Sequence, residues 1–284
     1  MLSLGSNYRQ FYSTNYTVYV VTDNKISFMR TIVINNKKLV MYDSIEELPI
    51  INFQKYNKYL LIDAGIGSDV NDIDQHISKI AKYIKSDKTL AMQELQNMRQ
   101  NMFMIASGIS PKYLAFAALI HSVDDKKVED LSDENLKAVL ESLRAVKHSW
   151  LINLLAEIKK KIQAELELYF PQEFINAKEK EAYDRLKSRT LLVLERVTKG
   201  KDTSSEINSI DDYLFNLHKP KSFAGNESVE IKYDKQFESM CLIISQKSNQ
   251  DARCMTVLQF YSSLENIKAQ LEAENKAYKK HHRR

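Results

Sequence analysis

The segment Gly65-Ile66-Gly67-Ser68 has the strongest claim to chemistry in this 284-residue chain. It follows the apolar run Leu60-Leu61-Ile62-Asp63 and precedes a helical pattern, a junction whose backbone N–H groups can hold an anion. Two features oppose a phosphate there. Val70 stands where a dinucleotide fingerprint has its third glycine, and no Gly-Lys-Ser/Thr follows to complete a P-loop. Asp69, Asp72 and Asp74 also place negative charge at the helix start, where it competes with any bound anion. A capped connector is the preferred reading.

The other candidates are poorer. Asp124, Asp125, Glu129, Asp130, Asp133 and Glu134 are close in sequence, but two lysines interrupt them and the central glycine of a calcium loop is missing. His76, His121, His148, His218, His281 and His282 include no pair at the i, i+4 spacing of a helical metal site. Cys241 and Cys254 are too few for a disulfide framework or zinc. Their neighbours are apolar, so both are expected as buried, reduced thiols. Met92, Met98, Met102 and Met104 read as core packing in preference to a partner groove. Tyr8, Phe11, Tyr12, Tyr16 and Tyr19 lack the interleaved basic residues of a base-stacking platform and read as strand residues. The expectation is therefore no catalytic residue, no metal ligand and no cofactor. What remains is contact chemistry, with Trp150, Tyr261, Leu264, Ile267 and Leu271 as candidate interaction residues.

These side chains must be carried mainly by helices. Between Gly108 and Gly200 there is no glycine and only two prolines, Pro111 and Pro171, in a stretch rich in Leu, Ala, Lys and Glu. Strands are expected only near the start, over residues 16–21, 26–34 and 39–42, as a small antiparallel meander. Ser44 and Glu47 have capping-box spacing. Residues 51–63 fit either helix or strand. Ile73, Ile77, Ile80 and Ile84 predict one apolar face of a helix starting at Ser68. Leu95, Met98, Met102 and Ile105 predict another over 89–107, ended by Gly108. Pro111 suits the first position of a helix running to His121, and Asp124-Asp125-Lys126-Lys127 makes an exposed turn. Helices over 133–146, 148–170 and on to Gly200 follow, with Leu191, Leu192, Leu194 and Val197 as a late stripe. Ile210–Leu217 reads as one short amphipathic helix, and 235–247 and 251–279 as two more.

Composition narrows the functional classes. Four prolines and six glycines exclude an all-β sandwich. The longest apolar run, Tyr113–Ile120, is far short of the ~20 residues of a membrane span, and the start MLSLGSNYRQ lacks the charged-then-apolar order of a signal peptide. The net charge of +4 sits at the end: Lys276, Lys279, Lys280, Arg283 and Arg284 have no acid among them. Setting those five aside leaves 36 of the 41 basic residues against 37 acids. Nucleic acid is thus the disfavoured partner, and those five residues would be its contacts.

Four stretches carry a resemblance: IDAGIGSDVNDIDQHISKI (62–80), ISPKYLAFAALIHSVDDKKVEDLSDENLKAVLESL (109–143), LHKPKSFAGNESVEIKYDKQFESMCLIISQ (217–246) and TVLQFYSSLENIKAQ (256–270). They resemble proteins encoded by crAss-like and related tailed phages of gut bacteria. The resemblance implies a product of the virion or tail-assembly module, located in the host cytoplasm or the virion. It assigns no active residue.

Together these readings predict a predominantly α, α+β protein. They divide it into an N-terminal β-meander with a short helix (1–66), a helical domain (67–199), a linker (200–228) and a C-terminal helical pair with a basic tail (229–284). The expected function is non-enzymatic: a structural component or assembly chaperone that contacts other phage structural or assembly proteins or a second copy of itself, and no membrane. The alternative is nucleic-acid handling through the tail.

Overall fold

The computed structural model describes residues 11–13, 16–18, 29–34, 36–108, 110–143, 148–174, 177–217 and 219–281. The fold is α+β and predominantly α. Strands β1 (Phe11–Ser13) and β2 (Tyr16–Val18) form a small antiparallel hairpin. Strands β3 (Met29–Ile34) and β4 (Lys37–Tyr42) open a separate four-stranded antiparallel sheet. Tyr8 and Tyr19, and the rest of the expected strand positions between 19 and 28, lie outside the described residues.

The sheet is completed from far downstream. The helix expected to reach His121 stops earlier, as α4 (Pro111–Ala118), and the chain turns into β5 (Ile120–Val123) and β6 (Lys126–Lys127). β5 pairs with β4 in the register Leu39↔Val123 and Val40↔Ser122, then shifts by a bulge to Met41↔Ile120. The expected turn at Asp124-Asp125 is a two-residue hairpin connection in which both residues take positive φ, 49° and 62°. That handedness matches the twist of paired strands. Asp124 also fastens the turn, since its carboxylate accepts from Lys38 N–H at 2.8 Å.

The ambiguous segment 51–63 is helical, in α1 (Ile50–Ile66). Ile50, Phe53, Tyr56, Tyr59, Ile62 and Ile66 are all buried, and a three- to four-residue recurrence suits a helix face, not a strand. α1 is the central strut. It touches α3 (Lys88–Ser107), α4, α10 (Val229–Ser248) and α11 (Val257–His281). The expected Ser44 capping box does not form: the Ser44 hydroxyl donates to Glu165 of α6 (His148–Tyr169) at 3.0 Å. The same Glu165 carboxylate accepts from Ile45 N–H at 2.9 Å. The α11 start is stitched to the chain before α1, with Ile50 N–H donating to the Met255 carbonyl and Val257 N–H to the Leu48 carbonyl, both at 2.9 Å. One core cluster runs from Ile32 to Ile267.

The remaining helices are α2 (Val70–Ser86), α5 (Asp133–Ser142), α7 (Pro171–Phe174), α8 (Ala177–Lys199) and α9 (Ser204–Leu217). α8 and α9 pair through Arg189 and Asp211 at 2.6 Å. α9 occupies part of the expected linker, and the strand-free segment after it is held too. The amide of Asn97 donates to the Lys221 carbonyl at 3.1 Å, and that of Gln100 to the Phe223 carbonyl at 3.3 Å. The Phe223 ring, 5% exposed, lies against Gly65 of α1 so closely that an added Cβ would sit 2.2 Å from it.

Gly65→Ala should therefore destabilise the protein by about 1–3 kcal/mol through overpacking, and Phe223→Ala by about 3–5 kcal/mol through the cavity it leaves. The double variant should cost clearly less than the two single losses added together, because removing the ring relieves the clash. Urea unfolding of the three variants checks this; simple additivity would separate Gly65 from Phe223.

Candidate interaction surface

The Gly65–Ser68 junction, expected as a capped connector in preference to a phosphate cradle, is closed by the chain's own carboxylates. Ser68 and Asp69 N–H donate to Asp72 at 2.8 and 3.0 Å, and Asn71 and Asp72 N–H donate to Asp69 at 2.8 and 3.2 Å. This reciprocal capping box closes the α2 N-terminus. Gly67 is needed at φ 72°, where a Cβ would meet the Asp72 carboxylate. Beside the loop, burial raises the Asp63 pKa to about 6, with the Lys112 charge opposing the rise and Asp72 and Asp69 adding to it. Among the described residues no three His, Cys, Asp or Glu side chains are grouped to hold a metal ion. Asp133 is instead tied to Tyr59 at 2.6 Å and Lys55 at 3.0 Å.

The α2–α3 hairpin departs most from expectation. Besides Tyr83 and Ala91, its buried side chains are polar. His76 is 3% exposed, Glu94 and Asn97 1%, and Asn101 0%. The His76 imidazole lies between two acceptors: Nδ1 is 2.8 Å from the Glu94 carboxylate and Nε2 is 2.8 Å from the Ile66 carbonyl. Asn101 donates to the same carbonyl at 3.0 Å. That oxygen belongs to the last residue of α1, whose carbonyl has no partner within its own helix. With acceptors at both nitrogens, the ring is suited to carry both protons. Burial alone would lower its pKa, but the bonds to Glu94 and Ile66, with the Glu94 charge, carry it above its ordinary value. Burial likewise opposes ionisation of Glu94, and the His76 bond and the Lys79 charge carry its pKa below the usual range.

The apolar stripes expected to be buried lie one residue away. Ile77 and Ile84, which follow buried His76 and Tyr83, are 52% and 57% exposed. On α3, Met92, Leu95 and Met102 follow buried Ala91, Glu94 and Asn101 and are 58%, 42% and 52% exposed. A step of one residue is about 100° around a helix, so on both helices the stripe is turned out of the buried seam. Ile73, Ile80 and Met98 are half-buried along its edge. The core reading of the methionines is corrected accordingly: Met92 and Met102 face solvent, while Met98 and Met104 are half-buried. α8 also presents Leu191, Leu194 and Val197 outward. Cys241 is buried as expected and its thiol pKa is raised to about 11, chiefly by burial, but Cys254 is exposed beside Asp251. Its apolar neighbours Met255 and Val257 are buried instead.

The named interaction residues have different placements. Tyr261 packs against Phe174, Phe260 and Phe170, with ring centroids 4.9, 5.5 and 5.6 Å away. Ile267 is buried, Leu264 half-buried and Leu271 exposed. Trp150 stands in the first turn of α6, its side chain outside the described set. Lys276 and Lys279 are exposed near the end of α11; the Lys280 side chain and Arg283 and Arg284 fall outside the described residues. Among the described residues, no helix is long and apolar enough to cross a membrane. Comparison with protein-family models, curated proteins and solved structures gave no match.

The buried pair sets a pH dependence. Glu94, with its folded pKa lowered, contributes stability above the ordinary carboxylate value and loses it as pH falls through the lowered one. His76, with its folded pKa raised, contributes fully below the ordinary imidazole value and loses that as pH rises through the raised one. The melting temperature should thus fall as pH rises from the ordinary imidazole value of about 6.5 through the raised folded one, and the fall should shrink in His76→Gln. That variant should also lose about 3 kcal/mol, because it strips the buried Glu94 carboxylate of one of its two charged partners and leaves only Lys79 at 3.4 Å. An unchanged slope in His76→Gln would assign the dependence elsewhere.

Proposed function

We propose that this chain acts by protein–protein contact, as a structural component or assembly chaperone in virion or tail morphogenesis of a tailed phage, and not as an enzyme. Its place of action is then the host cytoplasm or the virion. The phage assignment rests on the sequence resemblance. The mode of action rests on one observation: the α2–α3 hairpin uses polar side chains to dock and leaves its apolar stripes outside. Exposed apolar side chains repeated along a helix are suited to contact with another protein. The occupant is an apolar helix face of another phage structural or assembly protein, read as anchors at i, i+3, i+4 and i+7.

Ile77→Glu, Leu95→Glu and Met102→Lys should each change stability by no more than about 0.5 kcal/mol, as exposed positions do. Combined, they should abolish co-purification with co-expressed partners from the same phage assembly genes. Sedimentation of the isolated chain should be unaltered by the triple change. Concentration-dependent self-association that the same changes abolish would replace the foreign helix with a second copy. The nucleic-acid alternative is favoured by the exposed Lys276 and Lys279 alone. It predicts that removing 276–284 abolishes binding to single- and double-stranded DNA and that affinity falls steeply with salt; binding indifferent to the truncation eliminates it.

A further inference from the structure

A cleft of about 610 Å³ opens between α1, α6, α7, α10 and α11, within the size range of small-molecule sites. Its walls are aromatic and aliphatic, including Phe53, Leu61, Ile162, Leu166 and Tyr261. The charged side chains that line it are all lysines. Lys159, Lys221 and Lys232 line it, and no aspartate or glutamate does. Lys232 is held by Glu227 at 2.5 Å. Lys159 and Lys221 are exposed and have no acidic partner within 4.0 Å among the described residues.

A second feature lies in the wall of the same space. Tyr56 lines the cleft, is 2% exposed, and its hydroxyl is buried without a hydrogen-bond partner. A buried hydroxyl left unsatisfied is destabilising. The cleft is separate from the α2–α3 surface, to which it contributes no residue.

We infer that this cleft binds a small amphipathic anion, with an alkyl chain between the aromatic and aliphatic walls and a carboxylate or phosphate head at Lys159 and Lys221. The aliphatic share of the wall, Leu60, Leu61, Ile162, Leu166 and Val229, suits a chain of methylenes better than the polar edge of a nucleobase. The lysines supply the charge that separates an anion from a neutral lipid. Carboxylate and phosphate heads share this chemistry, so both belong in the test.

The full chain, stripped of lipid, is titrated with dodecanoate, dodecyl phosphate, dodecanol and AMP, each below any micelle concentration, by displacement of an environment-sensitive fluorescent fatty acid. One or both dodecyl anions should bind saturably, and dodecanol should bind at least tenfold more weakly. The preferred head then tells a fatty acid from a phospholipid-type source. Lys159→Gln with Lys221→Gln should weaken anion binding at least tenfold with an unchanged circular dichroism spectrum. Equal binding of dodecanol, preferential binding of AMP, or anion binding indifferent to the lysine pair would each overturn the inference. So would the absence of saturable binding by either dodecyl anion.

Discussion

The carbonyl oxygen of Ile66 ends the central helix and accepts two buried donors, from His76 and Asn101. Hydrogen bonds are directional, and buried donors and acceptors are costly to leave unmatched. The hairpin of α2 and α3 is therefore seated in one rotational setting, fixed by where the His76 ring, the Glu94 carboxylate and the Asn101 amide must lie. Apolar packing alone would have turned both helices by about one residue step and hidden their isoleucines, leucine and methionines. The polar seam prevents that rotation. On the flank of the same seam α3 offers Asn97 and Gln100, whose amides donate to the backbone carbonyls of Lys221 and Phe223.

The helices themselves were legible in the sequence, because the long glycine-free interval and the three- and four-residue recurrences are local properties. Gly108 ends α3 in the left-handed region and Pro111 opens α4, as their types require. The end of α4 was not legible. Leu114–Ile120 is a continuous apolar run, and only its pairing with β4, some eighty positions earlier, decides where helix gives way to strand. Asp-Asp is also a weaker hairpin signal than Asn-Gly or Asp-Gly. The outward stripes were visible as stripes, but a period reveals which side of a helix is apolar, not whether anything covers it. The missed signal was the polar series Glu94, Asn97 and Asn101, at spacings of three and four on α3, which traces a buried face as clearly as leucines would.

The two exposed features, stripes and cleft, lie on different parts of one body. The cleft borders the aromatic cluster around Tyr261, where α1, α7 and α11 meet. The stripes belong to helices joined to α1 at its opposite end, beyond Ile66. α1 is thus common to both, presenting Phe53 and Tyr56 toward the cleft and its terminal carbonyl toward the hairpin.

The stitch between residues 45–50 and 255–258 has a consequence for synthesis. A chain leaves the ribosome N-terminus first, yet the Leu48 carbonyl and the Ile50 N–H find backbone partners in Val257 and Met255. Until those residues emerge, the apolar face of α1 that α10 and α11 later cover stays open on the nascent chain. Such late closure favours slow folding, since distant contacts must form before the entropy of looping is repaid. A holding factor at the tunnel exit would find its binding window there, over the two hundred residues' worth of translation that separates the halves of the stitch.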